Sequence, residues 1–313
     1  MRFTSEWNRT PPAGAVAFVM LVAVVVGGQS LFAQEDPADN AKADANVAKK
    51  AKLDFYRRQL RELRLFVDPS NKPCQFVEEP LTRWDNPISQ NADGMMFLWT
   101  DRGRPVAMLN NHLHYPTKVW GRIFISLSER PLDMRSGEQP YWNPRQPAIT
   151  FQPLDHAKVP ADTAAARLVQ LRNIAKEFQV DCHWGGKDKP DWRLRLLTTP
   201  LYRYQVPDEG VVDGALFGFI QSGPEAVLLL EARKTPQGLE WHYAASRSTS
   251  YFVRISRHDK TVVESPHLDG WKPTDPFFAI RVPIDDYPFD NPFADPKSTK
   301  QNSTKATQSE VQP

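Results

Sequence analysis

Gly94-Met95-Met96-Phe97-Leu98-Trp99-Thr100 is an apolar run of strand length. Asp101-Arg102-Gly103-Arg104-Pro105 breaks it with turn residues, and Val106-Ala107-Met108-Leu109 resumes it. The pattern reads as strand, turn, strand. It recurs further along the chain: Glu79 to Asn110 aligns on Thr199 to Leu230 without a gap. Nine of these pairs are identical, where average composition gives roughly two. They are Pro80/Pro200, Leu81/Leu201, Arg83/Arg203, Pro87/Pro207, Asp93/Asp213, Gly94/Gly214, Phe97/Phe217, Gly103/Gly223 and Leu109/Leu229, and Trp84/Tyr204 and Trp99/Phe219 match in kind. Gln59-Leu60-Arg61 and Gln170-Leu171-Arg172 stand ahead of the two blocks. The expectation is an α+β fold built as a tandem duplication, each copy a helix followed by an antiparallel β meander, with disordered termini.

Working outward, Leu53, Tyr56, Leu60 and Leu63 recur at helical steps with Arg57, Arg58, Arg61 and Arg64 between them, an amphipathic helix ending near Phe66. Val119, Ile123, Ile125 and Leu127 alternate with polar residues as a half-buried strand does. Prolines at 131, 140, 144, 147, 153 and 160 mark a connector. Asp162 or Thr163 then caps a second helix with a stripe of Leu168, Leu171, Ile174, Ala175 and Phe178. Strands follow to residue 256, separated by Gly223-Pro224-Glu225 and Pro236-Gln237-Gly238. The organisation expected is a first repeat over 51–130, a connector over 131–161, a second repeat over 162–264, and a Pro-rich acidic tail over 265–313, disordered beyond about Lys297. The tail segment Asp285 to Pro296 repeats Pro-Phe and is a candidate docking element.

The N-terminus carries an address. Arg2 and Arg9 precede an unbroken apolar or glycine run from Ala13 to Gly28, and small residues lead to Ala33. Residues 1–33 read as a secretory signal peptide and 34–50 as a flexible lead-in, which places the mature protein in the periplasm or outside the cell, with no transmembrane segment after removal of the signal. Across 313 residues, 39 basic and 37 acidic side chains leave a net charge of +2, so the electrostatic footprint of a nucleic-acid binder is missing. Two cysteines exclude a disulfide-dense scaffold and a four-cysteine zinc site.

Leu194-Arg195-Leu196-Leu197, Pro200-Leu201-Tyr202-Arg203-Tyr204, Asp213-Gly214-Ala215-Leu216-Phe217 and Leu229-Leu230-Glu231, together with Gly94 to Thr100 and Gly103-Arg104-Pro105, resemble an uncharacterised family of exported planctomycete proteins. The resemblance covers roughly residues 55 to 260 and implies export and a shared fold. That family's pattern has a His-Glu pair where this chain has Gly121-Arg122, so no catalytic role is carried over, and the family brings no known activity.

No G-x-S-x-G, G-x-G-x-x-G, Walker loop, H-E-x-x-H, C-x-x-C or EF-hand loop occurs, and no cofactor is implied. His112 and His114, spaced to share a strand face, are a weak metal pair, with Asp155-His156 or Asp181-Cys182-His183 as remote ligands; core or loop roles are the ordinary reading, and no metal is assigned. Trp142, Trp184 and Trp271 sit among Asn, Gly, Lys and Pro and are candidate ligand-stacking residues. Arg83 with Asp93 and Arg203 with Asp213 read as structural ion pairs, since a repeat must keep its architectural residues. Cys74 and Cys182 lie in corresponding helix-to-strand connections and are expected to form one disulfide in an exported protein.

The function expected is that of an exported, non-catalytic binding or envelope-associated protein, its partner an envelope protein or polysaccharide. The alternative is an extracytoplasmic hydrolase whose residues (His114, His156, His183, Asp181) converge in one cleft. A third reading places the basic first helix on an anionic membrane surface.

Overall fold

Nine apolar residues from Met95 to Leu109 are buried, and two opposed layers bury them. The computed structural model describes residues 37–88, 90–183, 191–221, 223–283 and 289. The chain opens with α1 (Pro37–Leu60) and β1 (Leu63–Val67). It then runs through four consecutive strands, β2 (Gln75–Asn86), β3 (Asn91–Asp101), β4 (Arg104–His114) and β5 (Val119–Ser126), and a hairpin, β6 (Leu132–Ser136) and β7 (Gln139–Trp142). After β8 (Gln152–Pro153) come α2 (Ala164–Ala175), β9 (Phe178–His183) and two short strands, β10 (Trp192–Arg193) and β11 (Arg195–Leu196). Four strands again follow, β12 (Tyr202–Val206), β13 (Val211–Ile220), β14 (Pro224–Thr235) and β15 (Gly238–Arg247), then a hairpin, β16 (Phe252–Arg257) and β17 (Lys260–Ser265), and β18 (Phe277–Pro283).

Two large antiparallel sheets result, β18-β5-β4-β3-β2 and β11-β13-β14-β15-β8 with β12 also on β13. Each has a small companion, β1-β6-β7 for the first and β10-β9-β16-β17 for the second. Side-chain alternation sorts the core. Phe97, Trp99, Leu109 and Phe124 face α1 (Tyr56, Leu60) and the first small sheet (Leu65, Met134, Trp142). Phe217, Phe219, Leu228 and Leu230 face α2 (Leu171, Ile174) and the second (Val180, Cys182, Val253). The other faces, Met96, Leu98 and Met108 from the first sheet and Leu216, Val227 and Leu229 from the second, share a third cluster. β3, β4, β13 and β14 are therefore covered on both faces, which is why they read as continuous apolar runs.

The expected α+β arrangement of tandem helix-plus-meander copies is corrected by this structure. The described residues form eighteen strands and two α-helices, and the molecule is mostly antiparallel β. A small sheet, beginning with a strand placed directly after each helix, shares the covering of the meander with that helix. Leu63-Arg64-Leu65-Phe66-Val67 is accordingly strand, with the burial alternation of one, and the helix stops at Leu60. It also starts at Pro37, within the stretch read as a flexible lead-in. The 131–161 connector holds β6, β7 and β8, and the Pro-rich tail holds β18, whose Phe277–Pro283 pairs with β5 in register from Phe277 opposite Ile125. Residues 1–33, read as the signal peptide, and residues beyond 297 lie outside the described residues.

The gapless alignment also breaks at the first hairpin. Phe97 pairs with Leu109, whereas its counterpart Phe217 pairs with Leu228, so the β3–β4 connection is one residue longer than β13–β14. From there on His112 occupies the register position held by Glu231 in the second sheet.

The candidate disulfide is corrected as well. Both cysteines are free, Cys74 packing against the first core and Cys182 lying at 0% exposure within the second, with two sheets between them. Burial is the first cause that pushes each thiol up to about 12, so both are protonated at neutral pH.

Candidate functional site

A cavity of about 300 Å³ opens where the edge of the first sheet meets the β13–β14 turn and the loop after β15. Its floor is set by strand register. Trp84 on β2 is opposite Gly94 and His112 on β4 is opposite Gly121. A Cβ on either glycine would collide with the ring above it, so hydrogen is the only side chain that lets these rings lie flat on the sheet. The Trp84 indole Nε1 donates to Asn110 Oδ1 at 3.3 Å, and its ring centroid is 5.3 Å from that of His112. The His112 Nδ1 is buried without a hydrogen-bond partner. Burial first, then the neighbouring His114 and Arg281 charges, pushes His112 down to about 4, so at neutral pH the imidazole is uncharged.

The facing wall is tied by hydrogen bonds of its own. Both carboxylate oxygens of Glu225 accept from its own turn, at 2.7 Å from the Gln221 N–H and 3.3 Å from the Gly223 N–H, and the Ser248 hydroxyl donates to the Pro224 carbonyl. Trp271 closes the rim. It is 37% exposed, its indole N–H donates to the Ala279 carbonyl, and its ring meets Phe277 edge-on at 5.4 Å. Tyr251, Arg122 and Arg281 also line it.

The corresponding place in the second sheet is filled. Tyr204 lies over Gly214 as Trp84 does over Gly94, and its hydroxyl donates to Glu231 at 2.8 Å. Glu231, at 0% exposure, also accepts from Arg104 at 3.0 and 3.1 Å and from Arg233 at 2.6 Å. Arg104 comes from the start of β4 in the other sheet. The residues that reach the Trp84 cavity from the start of β14 are Pro224 and Glu225, and they carry no side chain into a bond with Trp84 or His112 among the described contacts. One position is plugged by a guanidinium; the other is a cavity.

Of the tryptophans singled out in the sequence, Trp271 borders this cavity. Trp142 does not, and its candidate binding role is corrected. It is fully buried, donates to the Asp275 carbonyl at 2.9 Å and packs on Phe124 at 5.5 Å. Trp184 lies outside the described residues. Arg203 meets Asp213 at 2.6 Å, and Arg167 of α2 joins them at 2.9 Å. Asp93 is held by Lys52 at 2.8 Å and by the Tyr115 hydroxyl at 3.3 Å, and Arg83 is exposed. In both sheets, then, a helix reaches down to the aspartate of the bulge.

The histidines do not converge. His114 bonds Thr117 at 2.7 Å, His183 stacks on Phe252 at 4.5 Å, and Asp181 is taken by Arg193 at 2.6 Å. No group of three or more His, Cys, Asp or Glu among the described residues is arranged to hold a metal ion. Of the four arginines proposed for a membrane surface, three meet carboxylates: Arg61 meets Glu78 at 2.9 Å, Arg64 meets Glu138 at 2.7 Å and Arg57 meets Glu79. Of the tail's candidate docking segment, only Phe289 is described, its ring 6.2 Å from that of Phe55. Sequence reasoning passed over Trp84, Asn110, Tyr251 and Arg281. The one signal for them was the Trp84/Tyr204 pair, two aromatic rings with different polar groups at one register position of the two blocks. No protein-family model, curated protein or solved structure matches the chain.

Proposed function

We propose that the chain is an exported, envelope-associated binding protein whose ligand enters the Trp84–His112 cavity without being chemically altered. The ligand class is an uncharged ring of saccharide size, stacked on indole and held by the Asn110 carboxamide and the neutral His112 imidazole. The observation that carries this reading is the open cavity at the register position that Arg104 plugs in the second sheet: the frame is the same, and a flat hydrogen-bonding group is what it accommodates there. Of the charged groups in the lining, Glu225 is taken up by its own turn, while Arg122 and Arg281 can donate to a hydroxyl-bearing ring. The hydrolase alternative is weaker because a general acid or base needs a free carboxylate or hydroxyl beside the imidazole. Glu225 and Ser248 are committed to backbone partners instead.

Calorimetric titration with a panel of mono- to tetrasaccharides from cell envelopes tests the proposal. Saturable binding is expected, lost in Trp271→Ala with the far-ultraviolet circular dichroism unchanged, and the sugar should be recovered intact. A panel with no binder sinks the reading, and release of new reducing ends would replace it with the hydrolase.

A further inference from the structure

A second cavity, of about 490 Å³, lies beside the first and is of a different chemical kind. Its wall is apolar over Ile125, Ala148, Val263, Leu268 and Phe277, and Arg247 at the end of β15 stands in that wall. Arg247 is 8% exposed. Its Nη2 donates to the Pro266 carbonyl, while its Nη1 is buried with no partner. No carboxylate lies within ion-pairing distance of it among the described residues. The two acids that border the same cavity are occupied: Glu264 accepts from Arg254 at 3.0 Å, and Asp275 accepts from the Lys272 N–H at 2.6 Å.

Among the described residues, Arg122, at 9% exposure, also lacks a carboxylate but rests over the Trp120 ring and against the Tyr141 hydroxyl, and two other inward-facing arginines have acids. Arg167 has Asp213 and Arg104 has Glu231. A guanidinium does not escape the cost of burial by losing its proton near neutral pH. Desolvation lowers Arg247 only to about 10, which leaves it charged. An unpaired buried cation is among the most expensive things a protein can hold, and the cost is removed when a carboxylate supplies a bidentate partner. What surrounds this one is a cavity whose wall is mainly apolar, which favours an anion with a hydrocarbon body over a small hydrated one.

We propose that this chamber is a second, independent binding site that takes a linear alkyl carboxylate, with the carboxylate on the Arg247 guanidinium and the chain along Ile125, Leu268 and Phe277. A chain of roughly ten carbons suits a cavity of this volume.

Decanoate and decanol are the probes, titrated into the full chain by calorimetry. They share the hydrocarbon and differ in the charge. Decanoate is expected to bind saturably and at least about tenfold more tightly than decanol, the scale of a charge-assisted contact. Arg247→Gln should remove that preference while leaving decanol binding in place. Equal affinity for the two probes, or no saturable binding of decanoate by the folded protein, overturns the proposal. The comparison of probes on the unmodified chain decides the matter even where Arg247→Gln fails to fold. Saccharide binding at the first site is read separately and does not enter this outcome.

Discussion

Three glycines act as floors for rings, Gly94 under Trp84, Gly121 under His112 and Gly214 under Tyr204, and each ring carries a polar group to a definite place. Gly121→Ala must lift the imidazole off the sheet. Overpacking of this kind costs about 1 to 3 kcal/mol, read as a lower urea midpoint, and the displaced ring should also weaken the saccharide titration. His112 itself couples the site to pH. Its folded pKa lies near 4, below the 6.5 of a free imidazole, so the unfolded chain binds the proton first as pH falls. The stability contributed by keeping it neutral is complete above about 6.5, declines from there to about 4, and is level below; by pH 5 the loss is ~2 kcal/mol. Denaturation at pH 7.5 and pH 5 checks this, with His112→Gln expected to lose less stability between the two than the unmodified chain. An equal drop would show that His112 is not the titrating group. At the filled position, Glu231→Ala leaves Arg104, Arg233 and the Tyr204 hydroxyl facing a hole, and about 3 to 5 kcal/mol of destabilisation is expected from equilibrium unfolding.

At the scale of elements, β18 has the most consequence for its length. It caps the β5 edge from Phe277 to Pro283 and buries Phe277 and Phe278, and the segment before it supplies the Asp275 carbonyl that satisfies Trp142. A chain ending at Asp269 loses all three, leaving β5 as an unpaired edge that invites association with other chains. Such a truncation should elute as oligomers in size-exclusion chromatography and melt at lower temperature; a monomer of unchanged melting temperature would show that β18 is ornamental. The strand was hard to see in the sequence because Pro273, Pro276 and Pro283 crowd it, and proline is tolerated at the ends of an edge strand. The four-strand runs were legible, since their turns announce themselves at Gly103 and Gly238 and their apolar stretches are long. β1 and β9 were not, because a strand placed directly behind a helix keeps an apolar rhythm that five residues cannot distinguish from another helical turn. The cavity was the least legible part. It depends on a one-residue difference between two hairpins, which brings His112 rather than Asn111 to the Trp84 ring, and pairing register is invisible to composition or spacing.

For the whole molecule, the decisive feature is the third apolar cluster, in which Met96, Leu98 and Met108 of one sheet meet Leu216, Val227 and Leu229 of the other. Neither sheet can expose that face without losing the burial of both, and Arg104 bridging to Glu231 and Glu209 ties them further. The two sheets should therefore open together. The free thiols provide the reporter. Unfolded without reductant, the chain should take up two labels, and in the native state both should react slowly because burial keeps them protonated. On a Cys74→Ser background, labelling of Cys182 monitors opening of the second core alone. Leu98→Ala, at a fully buried position of the first sheet, costs about 2 to 5 kcal/mol. If opening is shared and fast relative to labelling, that loss appears undiminished at Cys182, accelerating its labelling by at least roughly thirtyfold, since each 1.4 kcal/mol is a factor of ten. If the sheets open separately, Leu98→Ala leaves the Cys182 rate where it was. The measurement thus reads whether a cavity made on one side of the shared cluster is felt on the far side of the other sheet, some two layers away.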